Sequence, residues 1–250
     1  MEVHAHTHTP RKKWTHYFWE FMMLFLAVFC GFLAENQREH IVEHQREKVL
    51  MKSMVKDLEA DTAFFSKMIW GITQFNSHID SLIPLLTNTN DLDSRVKEIY
   101  SQQVWMNLYY KAIYTDRTIE QLKNSGNFRL IRKTVVSDGI IAYDGYVKNF
   151  VISMQDEALL AQWRKVDDCS AGIFRSVVFR NWMKNGINNS PVELPLPPYF
   201  LSADKKQIDE YVNQLDKYAV FNSWFIDNVH KAIKQAASLN SLIKKEYHLE

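Results

Sequence analysis

Apolar residues are distributed along this chain in two different ways. Over residues 14–34 the sequence WTHYFWEFMMLFLAVFCGFLA is apolar on every side, and residues 21–34 carry no charge. A bilayer core about 30 Å thick takes roughly 20 helical residues. The stretch therefore predicts a transmembrane helix, with Trp14, Tyr17 and Trp19 at one headgroup boundary. The run ENQREHIVEHQREK that follows is polar all round and contains no helix breaker, so the helix is expected to continue as a solvated stalk over residues 35–57. Beyond it Met51, Met54, Leu58, Phe65, Met68, Ile72, Phe75, Ile79, Leu82 and Leu86 recur at alternating three- and four-residue spacing, a seam that predicts a long helix packed against others. Packing within the chain and packing across a symmetric oligomer both satisfy such a seam. Asp61 interrupts it once; a polar seam residue can fix register, but a local turn of the stripe toward solvent is the simpler expectation.

The remainder also reads as helices separated by turns. TNTNDLDS, residues 87–94, is a turn by composition, with Asp93 or Ser94 placed to cap a helix reaching about Tyr114 and rich in aromatics (Tyr100, Trp105, Tyr109, Tyr110). A shorter helix opens at Asp116 and closes at Ser125, Gly126 and Asn127, where Gly126 supplies a left-handed cap, and residues 128–131 continue after that kink. Residues 135–184 form a long amphipathic stretch with a break expected at 170–172, and a Pro- and Asn-rich ordered loop follows near 186–201. Ser202 is the expected cap of a last helix running through Ile208, Tyr211, Leu215, Tyr218, Phe221, Phe225 and Val229 toward Leu242. The fold class is all-α: one N-terminal transmembrane helix continuing into a stalk, then an antiparallel helical bundle over residues 58–250.

Composition narrows the partners. The 30 Lys and Arg against 29 Asp and Glu leave a net charge of +1, too small a field to gather nucleic acid. Among 250 residues there are only 7 Gly and 6 Pro, which agrees with helices rather than turn-rich strands. Arg11, Lys12 and Lys13 flank the apolar run, so the positive-inside rule puts residues 1–13 in the cytoplasm and the bundle across the membrane. Phe32 stands at the third-last position of any signal cleavage after Ala34, and Phe29 precedes Cys30, so neither a cleaved leader nor a lipoprotein is expected. Cys30 lies in the apolar run and Cys169 far downstream, so no bridge between them is expected.

Candidate chemistry is sparse. His40, Glu43 and His44 spell H-x-x-E-H, a zinc-protease spacing, but they sit on the polar stalk with no third ligand to nominate, and a solvated helix face explains them more simply. His4, His6 and His8 alternate in the tail and could catch a divalent metal, though incidental histidines in a tail account for them more simply. Glu20 lies inside the aromatic boundary, where its carboxylate either snorkels to the headgroups or contacts another helix. No nucleophile elbow or phosphate-cradling Gly-rich loop occurs, and Trp105, Trp163, Trp182 and Trp224 are expected in the core rather than around a ligand. No enzymatic activity and no cofactor are expected.

Two segments together carry a resemblance. Glu20 with FMMLFLAVFCGFLAENQ, and IEQLKNSGNFRLI over residues 119–131, resemble a bacterial family of single-pass membrane proteins classed as a domain of unknown function. Asn124, Ser125, Gly126, Asn127, Leu130 and Ile131 are the matching positions in the second segment. The resemblance implies a bacterial inner membrane and a helical periplasmic domain, and implies no activity. The function expected is a membrane-anchored interaction or scaffold protein acting on another membrane or periplasmic protein, or on itself as a homo-oligomer, through the seam at Leu58, Phe65, Met68, Ile72, Phe75, Ile79 and Leu82. The alternatives are a ligand-sensing bundle that signals through a separate partner, and a subunit of a channel or motor complex.

Overall fold

The computed structural model describes residues 13–87, 91–186 and 192–249. In chain order they form α1 (Trp14–Thr87), a 3-10 turn (Asp93–Arg95), α2 (Val96–Met106), α3 (Arg117–Asn124), a second 3-10 turn (Asn127–Leu130) and α4 (Thr134–Tyr146). Two π-helical turns (Val147–Ile152 and Met154–Leu159) carry α4 into α5 (Leu160–Ala171), and α6 (Ser176–Asn185) and α7 (Lys205–Tyr247) complete the chain. The protein is all-α; among the described residues the only β-type pairing is an isolated bridge between Phe174 and Phe200.

The chain divides into two compact units, Met1–Leu50 and Met51–Glu250. In the first, α1 carries one window long and apolar enough to cross a membrane, and none of that window is buried. Its large side chains are bare, from Trp14 at 79% exposure through Phe21, Leu24, Phe25 and Val28 to Phe32. The aromatic rings ladder up one face, Phe21 on Phe25 and Phe25 on Phe29, with centroids 6.4 and 5.9 Å apart.

In the second unit every seam residue from Met51 to Leu86 is buried. Three long helical runs build its core: the later part of α1, the continuous run from α4 through α5, and α7. Asn76 bonds Asn222 at 2.9 Å and Glu59 bonds Lys244 at 3.0 Å, so α7 runs antiparallel to α1. Lys133 pairs with Glu246, Tyr146 with Asn228 and Gln162 with Gln214, so α7 is antiparallel to the α4–α5 run as well. α7 buries Ile208, Tyr211, Leu215, Tyr218, Asn222, Phe225 and Val229 at heptad spacing, as a three-helix core requires. At Gly139 α4 packs closely on it, because a Cβ there would sit 2.9 Å from Leu239 Cδ1. On the outer face of α1, Thr62, Ser66, Thr73, Ser77 and Ser81 each return their hydroxyl to the carbonyl four residues back, so this polar face needs no partner element.

Several local expectations change. α2 ends at Met106, well short of Tyr114, because Asn107 turns its amide back onto the carbonyls of Gln103 and Val104. Of the residues after it, NLYYKAIYTD, half are aromatic or β-branched and poor at holding a helix. They form instead an extended strap. Tyr110 packs edge-to-face on Phe75, Thr115 bonds Asp61, and Tyr109 and Tyr114 bond Gln155 and Asp144, so the strap lies between α1 and the α4–α5 run. Neither Asp93 nor Ser94 caps a helix through its side chain; Ser94 donates to the Asp91 carbonyl instead. Asp204, not Ser202, caps α7 by accepting from Gln207 N–H at 3.0 Å, while Ser202 Oγ accepts from Asp204 N–H. Phe221 yields its seam position to Asn222, and Trp224 points outward at 56% exposure, in place of the expected core positions. Gly126 adopts the left-handed conformation as expected, with φ 65°, and the long amphipathic stretch breaks at Gly172. Parts of the 87–94 turn and of the 186–201 loop lie outside the described residues.

Candidate functional site

Polar residues enter the second unit's core at two places. The first is built around the strap. A non-helical segment crossing a helical core must find acceptors for its backbone N–H groups, because a buried unpaired donor costs about 1–3 kcal/mol. Three buried side chains supply them. Gln155 Oε1 accepts from Ala112 N–H, Asp61 Oδ1 accepts from Thr115 N–H at 2.6 Å, and Asp57 Oδ2 accepts from Thr118 N–H at 3.1 Å. Asp57 thereby caps the start of α3 from across the core, where Asp116, next to the helix, makes no side-chain cap. Its other contacts are Thr118 Oγ1 and the Arg117 guanidinium, both at 2.5 Å.

Asp61 is therefore not turned to solvent: it is 1% exposed, and Tyr143 O–H donates to its second oxygen at 2.6 Å. The seam stays inward at this point because the strap brings donors to meet the carboxylate. Burial raises the Asp61 pKa above the ordinary carboxylate range and the Asp57 charge adds to the rise, against the bonds from Tyr143 and Thr115. Tyr143 is pushed up by burial and by the Asp61 charge, so its phenol keeps the proton it donates. Beside this pair, buried Asp144 accepts from Tyr114 O–H at 2.6 Å and from Lys123 Nζ at 2.6 Å, with Lys148 Nζ at 3.2 Å. Burial alone would raise its pKa, but Lys123, Tyr114 and Lys148 outweigh that and hold it below the usual range. Every carboxylate in this network is occupied by donors of the chain itself, so the network fastens the strap and α3 and offers no free base.

The second place is a cavity of about 160 Å³ between α2, α5 and the start of α6. Its lining includes Gln103 and Asn107 from α2 and the residue after it, Asp167 and Ser170 from α5, and Arg175 and Ser176 at the α6 N-terminus. Phe174 forms part of its wall and packs in a ring cluster with Tyr100, Phe200 and Tyr211. Tyr100 O–H donates to the Tyr199 carbonyl at 2.7 Å and accepts from Arg175 N–H at 2.9 Å, which ties the loop before α7 to the start of α6. The Arg175 guanidinium holds the same loop through the Pro198 carbonyl at 2.7 Å. Burial, with Asp168 alongside, raises the Asp167 pKa.

The residues singled out in the sequence fall elsewhere. His40 pairs with Glu43 at 4.0 Å and His44 with Glu47 at 3.3 Å along one helix, and among the described residues no three His, Cys, Asp or Glu side chains gather as a metal set would. His4, His6 and His8 lie outside the described residues. Glu20 meets His16 Nε2 at 3.2 Å on its own helix. The seam side chains Leu58, Phe65, Met68, Ile72, Phe75, Ile79 and Leu82 are consumed by the chain's own core, so a partner surface must be drawn from other residues. Trp182 is buried, while Trp163 and Trp105 are half-buried, with Trp163 Nε1 donating to the Met106 carbonyl. Gln103, Gln155 and Asp57 give no signal in the sequence, since nothing in their spacing separates them from surface residues. Comparison with protein-family models, characterised proteins and solved structures finds no match to this chain.

Proposed function

We propose that this chain is a single-pass membrane protein that holds its helical second unit outside the cytoplasm as an interaction module. The observation that carries the reading is the bare apolar window of α1. A helix apolar all round, with none of its most apolar window buried, is stable as a monomer only where lipid replaces water. The basic flank at Arg11, Lys12 and Lys13 supports a cytoplasmic N-terminus, and the resemblance noted above favours a bacterial inner membrane and a periplasmic bundle.

The interaction half of the proposal rests on the second unit's surface. Phe150, Val220 and Trp224 each leave half or more of their surface exposed. They belong to one neighbourhood: Tyr146 stacks on Phe150 and bonds Asn228, and Asn228 in turn bonds Met154 and the Trp224 carbonyl. Exposed aromatics of this kind, in a unit whose seam is filled internally, are the side chains that anchor protein contacts.

Two measurements test the proposal. Alkaline extraction leaves the full-length chain in the membrane, and Leu24→Arg, costing about 3 kcal/mol at mid-window, releases a large fraction of it; wild type recovered in the soluble wash would reject the anchor. Affinity purification in mild detergent, with the particle mass measured, recovers a stoichiometric partner or a homo-oligomer that Trp224→Glu weakens. A lone monomer would reject the interaction role.

A further inference from the structure

The cavity between α2, α5 and α6 contains donors and acceptors that the protein does not use itself. Gln103 is 3% exposed, and its Oε1 accepts from Tyr211 O–H. Among the described residues its Nε2 has no acceptor. Among the described residues the one fully enclosed side-chain N or O atom lacking a partner is Asn240 Oδ1, so the Gln103 amide nitrogen must reach the space that Gln103 lines. An amide nitrogen on so deeply buried a side chain needs an acceptor, and the cavity is where one can enter.

A second donor set stands at the same cavity. α6 has no side-chain cap: Arg175 precedes it with extended backbone and its own N–H is taken by Tyr100. The N–H groups of Ser176 and Val177 meet no acceptor among the described residues, and Ser176 lines the cavity. A helix start with open N–H groups carries a partial positive charge and favours a carboxylate. The Arg175 guanidinium adds to that field.

The opposite sign comes from α5. Asp167 lines the cavity half-buried, and its carboxylate accepts no hydrogen bond and joins no ion pair among the described residues. A carboxylate in that position attracts an ammonium group. The remaining wall, Val104, Ala171, Phe174 and Phe179, is apolar and suits a short hydrocarbon portion. A cavity of about 150 Å³ holds a molecule the size of benzene, so 160 Å³ accommodates an occupant of similar size.

We infer that this cavity binds a small zwitterion, a free amino acid of the size of alanine or serine, with its carboxylate on Gln103 Nε2 and the α6 N-terminus and its ammonium on Asp167. The inference stands apart from the membrane-anchored interaction reading, since the site lies wholly within the second unit and needs no partner.

The test uses the full-length chain in mild detergent, titrated calorimetrically with glycine, L-alanine and L-serine, and with propionate and ethylamine, which are L-alanine lacking one charged group each. At least one amino acid binds with a Kd of about 1 mM or tighter, and propionate and ethylamine bind at least about tenfold more weakly. Asp167→Asn, a half-buried change that removes one charge, weakens amino-acid binding by at least about tenfold while propionate binding is unchanged or improved. Ala171→Leu fills the cavity from its exposed rim without touching the core, and abolishes binding in a protein whose melting temperature is unchanged. Three results would each overturn the inference: no amino acid binding at about 10 mM, propionate binding as tightly as L-alanine, or amino-acid affinity unchanged in both variants.

Discussion

Two stretches of α1 are similarly rich in Phe, Met and Leu yet treat those residues in opposite ways. In the first unit Phe21, Phe25 and Phe29 stack on one another and stay exposed; in the second, Phe65, Met68, Ile72 and Phe75 are buried along one face. The difference lies in the arrangement of the polar residues. Residues 21–34 have no polar face and so have no side to offer water. Residues 51–86 alternate apolar positions with polar ones, among them Ser and Thr whose hydroxyls bond back to the helix on the outside while the seam faces α7 and α4. One helix therefore carries two kinds of surface, and the pattern of its polar residues, more than its hydrophobic content, decides which apolar side chains the chain buries against itself.

The sharpest way to break this comparison is a matched pair of truncations. Phe65→Ala, at a position with no exposure, removes a ring from the core and lowers the unfolding free energy of the second unit by about 3–5 kcal/mol. Phe25→Ala changes that quantity by less than about 0.5 kcal/mol. Both are read by chemical denaturation in detergent monitored by circular dichroism, and equal effects would erase the distinction between the two stretches.

The comparison extends to the polar residues that interrupt the seam. Asp61→Ala strands the Thr115 N–H and Tyr143 O–H in the core and costs about 2–3 kcal/mol, with hydrogen exchange at the strap amides rising first. An Asp61→Ala protein with wild-type stability would mean that the strap is not fastened there. At the surface the effect is smaller. Asp204→Ala removes the α7 cap and costs about 1 kcal/mol, more than Ser202→Ala, and the reverse order would restore Ser202 as the cap.

The smallest effect, and the most diagnostic in sign, is the pH dependence of two buried aspartates. The folded pKa of Asp144 lies below its ordinary 3.8, so its contribution is present above that value and is lost as pH falls through the folded pKa. The folded pKa of Asp61 lies above 3.8, so its contribution is present below that value and is lost as pH rises through the folded pKa. The cost of Asp144→Asn therefore grows as pH is raised from strongly acid toward neutral, while the cost of Asp61→Asn shrinks. Denaturation midpoints across that range read both slopes, and parallel slopes would contradict the assigned environments.

Much of the architecture is legible in the residues. The three-four spacing from Met51 to Leu86 and from Ile208 to Val229 marks the long helices, Gly126 marks a left-handed turn, and the apolar window marks the bare part of α1. The strap is not legible, because Asn107–Asp116 continues the aromatic-rich run of the helix before it, and the acceptors that hold its backbone N–H groups come from distant segments. The candidate cavity is equally hidden: Gln103, Asp167 and Ser176 come from three elements, and their relation exists only once α2, α5 and α6 pack together.

By itself, then, the sequence determined where the long helices run and which stretch has no polar side, since both follow from local propensity and the periodicity of apolar residues. Tertiary structure alone decided which partner the seam meets, whether Asp61 faces water or Tyr143, and where unused donors collect. The physical reason is the same in each case. Hydrophobic burial has no direction and is fixed by pattern, whereas a hydrogen bond needs its partner at a set distance and angle, and those partners lie tens of residues away along the chain.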